Sequence, residues 1–249
     1  MKNLLIYTGS KKKFDKEHAI LAKIQIDNSL DLGWKRQDIL LVTDFPYSYN
    51  GVKSLIIKDG VYYDFDISAS KLPVIVHLLN QGIIEAGELY WAHDFDAYQL
   101  NPIDEDELKL ANHDLGLTHY YYKPEWQFGS LFFKDRAKDI FELLDDTICQ
   151  KPRLSRNNEK TLTKLIRKKA IDKTRYRKMN ATYNITKRCL ATIYKQAAKP
   201  LKVLHFHPWD KDEMMNDTAL NIFMYGKNRL KIPLMTERLI KIFNKHGIK

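Results

Sequence analysis

The segment Glu88-Leu89-Tyr90-Trp91-Ala92-His93-Asp94-Phe95-Asp96 puts two carboxylates on either side of one aromatic residue, directly after an apolar run. In an extended chain, residues i and i+2 point the same way, about 6–7 Å apart. At that spacing Asp94 and Asp96 can share a hard divalent cation, or one can bind metal while the other meets a hydroxyl. Mg²⁺ and Mn²⁺ take oxygen ligands and commonly share their shell with phosphates. Two carboxylates at the end of a buried strand are costly without a compensating cation. The competing reading is an Asp-rich surface turn; the apolar run before the pair favours a site. A second cluster is Leu201-Lys202-Val203-Leu204-His205-Phe206-His207-Pro208. Here His205 and His207 share a strand face, positioned for metal or phosphate contact. A carboxylate pair plus one imidazole suits Mn²⁺, with zinc the less favoured ion. His93, His113 and His119 lack such a context and read as structural.

These groups need elements to hold them. Asn3–Tyr7 reads as a buried strand ending at Thr8-Gly9-Ser10. Asp15 caps a helix with Ile20, Leu21, Ile24 and Leu30 at helical spacing, and Gly33 stops it. Asp38–Thr43 is a second strand, Val52–Ile57 a third and Glu88–Ala92 a fourth, with a helix over Ser70–Gly82 carrying Leu72, Val76 and Leu79. Alternating strands and helices imply a parallel sheet, with ligands beyond the carboxyl ends of its strands. Further strands are expected at His119–Tyr122, Ser130–Lys134 and Leu201–Phe206, and helices at Asp135–Cys149, 211–225 and 234–246. The stretch 151–178 reads as helical through Leu162, Leu165, Ile166 and Ala170. The fold class is α/β, a single domain over 1–249.

Taken in order, Tyr7-Thr8-Gly9, Asp44, Ser70-Lys71, Asp94-Phe95-Asp96, Gln127-Phe128-Gly129-Ser130-Leu131-Phe132-Phe133, Asn158-Glu159-Lys160-Thr161-Leu162, Ala181-Thr182-Tyr183-Asn184 and His205 form a recognisable series. The chain resembles glycosyltransferases of the GT-A fold, most of all glycogenin-like enzymes and small viral and bacterial relatives, over most of its length. The resemblance implies a mostly parallel central sheet flanked by helices, with 1–100 as the nucleotide-binding half and 101–249 as the sugar and acceptor half. It implies a nucleotide-sugar donor, UDP-linked, held by Tyr7, Thr8, Gly9, Asp44, Lys71, Asp94 and His207. It further implies Mn²⁺ or Mg²⁺ on Asp94, Asp96 and His205, and catalytic roles near the anomeric carbon for Glu159 and Gln127. Gln127 and Phe128 stand where the family has Asn and a small residue, and Glu159-Lys160 replaces an acidic-Gln pair. It implies, too, an acceptor among glycan, lipid-linked or protein groups, of unknown identity.

Composition sets the outer bounds. With 249 residues, 44% hydrophobic and 29% charged, the chain has the make-up of a folded domain. Two cysteines make no disulfide scaffold, and no apolar run approaches the ~18–20 residues of a membrane helix, so a cytoplasmic enzyme is expected. The net charge is +10, and residues 151–178 hold twelve Lys or Arg against Glu159 and Asp172, which accounts for all of the excess. Such a stripe suits an anionic acceptor or a plain solvated face. A nucleic-acid-binding protein using 151–178 is an alternative reading, but nucleic acid is not expected as a partner, because only Tyr176 within it supplies the aromatic platform that single strands need and no helix-turn-helix or finger motif is present. A nucleotide-sugar nucleotidyltransferase is the alternative enzyme, set back by the single glycine in Thr8-Gly9-Ser10-Lys11-Lys12-Lys13.

Overall fold

The computed structural model describes residues 1–57, 61–65, 69–120, 124–151, 157–186, 190–206 and 236–248. The apolar runs read as strands form the middle of one sheet. β1 (Lys2–Tyr7) lies between β2 (Ile39–Thr43) and β6 (Tyr90–His93), parallel to both. Both faces of these strands are covered, which is why their sequences are continuous rather than alternating: Leu4, Leu5, Leu41, Val42, Trp91 and Ala92 are fully buried. Leu4 and Val42 meet one apolar cluster while Leu5 and Leu41 meet another on the opposite side.

β3 (Ser48–Tyr49) and β4 (Val52–Lys53) form a hairpin turned by Asn50-Gly51, both with positive φ, as a tight two-residue turn requires. β5 (Leu55–Ile56) then joins β2 in the large sheet, so the expected third strand is split in two at Ser54. Beyond β6 come β9 (Trp126–Phe133), antiparallel to both β6 and β8 (Leu115–His119), and then β10 (Tyr176–Lys178), parallel to β8. The order is β10-β8-β9-β6-β1-β2-β5, seven strands, mostly parallel. Among the described residues the helices are α1 (Lys16–Asp31), α2 (Lys71–Asn80), α3 (Glu105–Leu108), α4 (Lys138–Cys149), α5 (Asn158–Arg167), α6 (Leu190–Gln196) and α7 (Glu237–Lys245). Asp15 caps α1 as expected, accepting from the His18 amide at 2.8 Å, and Gly33 ends the turn after it with φ +89°.

Two expectations shift. The strand placed at His119–Tyr122 lies earlier, at Leu115–His119, because Leu115 and Leu117 carry the buried face. Among the described residues of the basic stretch, the α-helix is confined to the middle: Lys169, at φ +58°, closes α5, Asp172 caps a 3-10 turn, and Tyr176–Lys178 adds an edge strand. The helix expected over 211–225 and the site residue His207 lie outside the described residues.

A small second sheet matters more to the site than its size suggests. β7 (Ala97–Gln99), β11 (Ile185–Thr186) and β12 (Val203–His205) stand in the order β11-β12-β7. Among the described residues, no helix is long and apolar enough to cross a membrane.

Candidate active site

The turn after β6 is fixed from three directions. The Asp94 amide donates to the Gly129 carbonyl of β9 at 2.8 Å, and the Ala97 amide closes the turn on the Asp94 carbonyl at 3.0 Å. From α1, the buried Gln25 amide donates to the carbonyls of Phe95 at 2.8 Å and Ala97 at 3.0 Å, the two residues flanking Asp96. His205 reaches the turn because β12 runs antiparallel to β7 with His205 opposite Ala97, and the Phe206 amide donates to the Asp96 carbonyl at 2.9 Å.

Asp94, Asp96 and His205 therefore meet, with ligand atoms all within 4.8 Å of one another. His205 Nε2 is 3.1 Å from Asp96 Oδ1 and 3.8 Å from Asp94 Oδ2. A cation bonded at about 2.0–2.1 Å to each ligand needs them within about 4.2 Å, which small side-chain rotations supply. The other imidazole nitrogen, Nδ1, lies 3.1 Å from Asn184 Oδ1 on a fully buried side chain. Donation from Nδ1 to that oxygen leaves the Nε2 lone pair aimed at the carboxylates, the tautomer a metal ligand requires. Burial opposes charging His205, but Asp96 and then Asp94 outweigh it and raise its pKa. The carboxylates that favour positive charge on the imidazole would favour a cation in the same place.

Gly129 is part of the same construction. A Cβ there would lie 2.3 Å from His205 Cε1 and 2.8 Å from Asp94 Oδ2. Lys71, at the start of α2, extends its ammonium to Asp94 Oδ1 at 2.7 Å and to the Phe128 carbonyl at 2.5 Å. His93, next in line to Asp94, is structural as expected: burial pushes its pKa down to about 3, and its ring stacks on Trp91 with centroids 3.8 Å apart.

Two cavities open on Asp94 and Lys71. One of about 250 Å³ runs toward Tyr7, His18, Phe95 and Asp96; one of about 160 Å³ runs toward Ala69, Phe128, Gly129, Asn158 and Glu159. A larger groove of about 520 Å³ around Trp34, Lys35 and Glu105 lies at the amino-terminal end of β1 and gathers no such set of groups. On the first side, Tyr7 packs with Phe14, His18, Phe45 and Phe95 in an aromatic cluster. Thr8 Oγ1 donates to the Val61 carbonyl, and the Gly9 amide donates to Asp44 Oδ2 at 3.3 Å. The second oxygen of this carboxylate, Asp44 Oδ1, is buried and unpartnered. On the second side, Glu159 Oε1 accepts from the Tyr120 hydroxyl at 2.9 Å and the Phe128 amide at 3.1 Å. Gln127 is buried and donates to the His119 carbonyl; it lines neither cavity, though Phe128 and Gly129, which follow it, line the second.

Gln25 and Asn184 escaped the reading of the sequence. The available signal for Gln25 was a polar residue on the apolar stripe of α1, followed by Asn28 and Ser29, all three buried. Asn184 stood in a quoted segment with no chemistry attached.

The architecture is that of the GT-A glycosyltransferases. A glycosyltransferase involved in glycosylating the major capsid of PBCV-1 matches with a TM-score of 0.54 at 12% identity, over 83% of this chain and 93% of that one. The galactosyltransferase LgtC, solved with donor and acceptor sugar analogs, matches at 0.55 and 12% identity, over 85% and 90%. GlyE of Streptococcus pneumoniae TIGR4 matches at 0.56 and 15% identity, over 84% of this chain and 56% of that one. At these identities the likeness is one of fold. No family model matches the chain, and no curated protein matches it by sequence.

Proposed function

We propose that this chain is a metal-dependent glycosyltransferase that takes a sugar from a nucleoside-diphosphate donor, a UDP-sugar, and passes it to an acceptor. The observation that carries the proposal is the meeting of Asp94, Asp96 and His205 beyond the carboxyl end of a mostly parallel sheet. The donor set, two carboxylates and one imidazole of fixed tautomer, fits Mn²⁺ or Mg²⁺. Such a cation supplies Lewis acidity where charge builds on the departing diphosphate.

The chain's own groups have separate tasks. The aromatic wall at Tyr7 and the free oxygen of Asp44 suit the nucleoside, which presents a flat base and hydrogen-bond donors. Thr8 and Gly9 shape the turn that brings Asp44 there. Lys71 exchanges part of its pairing with Asp94 for a phosphate oxygen. Glu159, held by Tyr120 and the Phe128 amide, stands on the sugar side of Asp94; Gln127 supports that strand from the His119 carbonyl. The likeness to glycosyl-transferring enzymes favours this reading over a nucleotidyltransferase.

Calorimetry with UDP and Mn²⁺ tests the proposal, followed by a panel of nucleotide sugars assayed for metal-dependent hydrolysis. Binding that disappears with chelator and in Asp96→Ala is expected. No heat with any nucleoside diphosphate, or full turnover in Asp96→Ala, refutes it.

A further inference from the structure

The charge excess of the chain is concentrated beside the site. Asn157, Asn158 and Glu159, at the first turn of α5, line the smaller cavity with Asp94. From there the helix buries Thr161, Leu162 and Leu165 and turns Lys160, Lys164, Arg167 and Lys168 to solvent. Positions 160, 164 and 168 are four apart, so their charges follow one face in steps of about 6 Å. Lys169 and Lys173 continue the exposed series beyond the helix. Arg167 donates to the Pro124 carbonyl at 2.7 Å. Among the described residues, none of Lys160, Lys164, Lys168, Lys169 and Lys173 has an ion-pair partner. Arg175 is different: it is spent internally on Asp114 and Asp139. The field of the uncompensated group reaches its neighbours. Burial and then Lys164 lower the pKa of Lys151.

We propose that this outward face of α5 is a docking track for an anionic glycan acceptor, whose end reaches the cavity at Asn158 and Glu159. The inference rests on the glycosyltransferase reading and names the acceptor class for that site. Three features select a linear polyanion over other anionic partners. The track is one helix wide, and α4, which packs against α5, carries Glu142 and the exposed Asp146. A flat anionic bilayer would meet those carboxylates as well, whereas a single chain avoids them. The track also lacks apolar anchors for a membrane: the exposed large hydrophobics among the described residues, Ile56 and Leu143, are on β5 and α4. Single-stranded nucleic acid would need stacking platforms, and Tyr176 is already packed edge-on against Trp126, with centroids 5.5 Å apart.

The test uses the full chain and an oligogalacturonate hexamer, with one carboxylate per sugar, as the probe. Fluorescence anisotropy should show binding that weakens steeply with salt, while maltohexaose, the uncharged comparison, does not bind. The fourfold variant Lys160→Gln, Lys164→Gln, Lys168→Gln, Lys173→Gln should lose about tenfold in affinity, from four exposed charges at a few tenths of a kcal/mol each. A second fourfold variant, at the exposed Lys35, Lys53, Lys195 and Lys241, should bind as the parent does. Equal loss in both variants, or no loss in the first, overturns the proposal. So does binding to phosphatidylglycerol vesicles or a single-stranded oligonucleotide that exceeds binding to the hexamer. UDP binding, read without any acceptor, reports on the catalytic reading separately: retained UDP binding with no hexamer binding sinks the track alone.

Discussion

Gly129 allows three side chains to converge. A methyl group in place of its hydrogen would press on the ring of His205 and on Asp94 Oδ2, and neither can retreat freely: Asn184 and Asp96 hold the imidazole, and Lys71 holds the carboxylate. Gly129→Ala is therefore expected to lower Mn²⁺-dependent turnover about 100-fold, the scale of effect that a displacement of about 1 Å has on a positioned group. The stability cost should be about 1–3 kcal/mol, as for other overpacked sites. Turnover measured beside thermal unfolding checks both, and normal turnover would mean that the three ligands need not converge. The meeting of Asp94, Asp96 and His205 was legible in the sequence, because carboxylates after a buried strand and imidazoles in a late one are out of place unless they do something. Gly129 was legible only as part of a motif. Asn184 was not, since nothing in a sequence distinguishes a buried asparagine that orients a histidine from one that caps a turn, as its neighbour Asn180 does.

Strands and helices differ in how they serve this convergence. β1, β2 and β6 were readable because burial on both faces leaves an unbroken apolar run. The pairing of β7 with β12 was not readable: β7 is three residues long, follows the aspartates directly and has no period of its own, yet its register delivers His205. α1 does the corresponding work from the other side through Gln25. A glutamine in an amphipathic helix ordinarily faces water, so the pattern hid its inward hydrogen bonds to Phe95 and Ala97. Gln25→Leu removes both donors and leaves two carbonyls beside Asp96 without them. Mn²⁺ affinity should fall about 10–100-fold, as it does when groups supporting metal ligands are lost, with a stability cost of about 1–3 kcal/mol. Ser29→Ala, one turn further along α1, breaks contacts to Gln25 and Asn3 backbone and side chain without touching the aspartate turn. It should lower stability and leave Mn²⁺ affinity intact. Equal metal affinities for Gln25→Leu and the parent, by calorimetry, would show that α1 only packs.

The last described helix closes the circuit back to the first. Leu239, Ile242 and Phe243 of α7 join the same apolar cluster as Leu21 and Ile24 of α1. Arg238 donates to Asn28 Oδ1 at 2.6 Å and to the Gln99 carbonyl at 3.2 Å, so α7 braces both α1 and β7, the two elements that hold the aspartate turn. The polar centre of this contact is Asp27, buried beneath Lys245 Nζ at 2.7 Å and His246 Nε2 at 2.8 Å, with Tyr49 and Asn50 also donating to it. Burial alone would raise the Asp27 pKa; the hydrogen bonds from Lys245 and His246 outweigh it and hold the carboxyl below its usual range. A depressed carboxyl pKa contributes stability that is fully present above the unfolded value, about 3.9, and is lost as pH falls through the folded value. Asp27→Asn is thus expected to cost about 1–3 kcal/mol at pH 7, from buried donors left with a weaker acceptor. The difference between variant and parent should shrink as the pH falls below the unfolded value, about 3.9, and on through the depressed folded one. Urea unfolding at pH 7 and pH 3 measures both ends. A gap of the same size at the two pH values would mean that the charge on Asp27 does not hold α7 in place, and that the apolar contacts of Leu239 and Phe243 suffice.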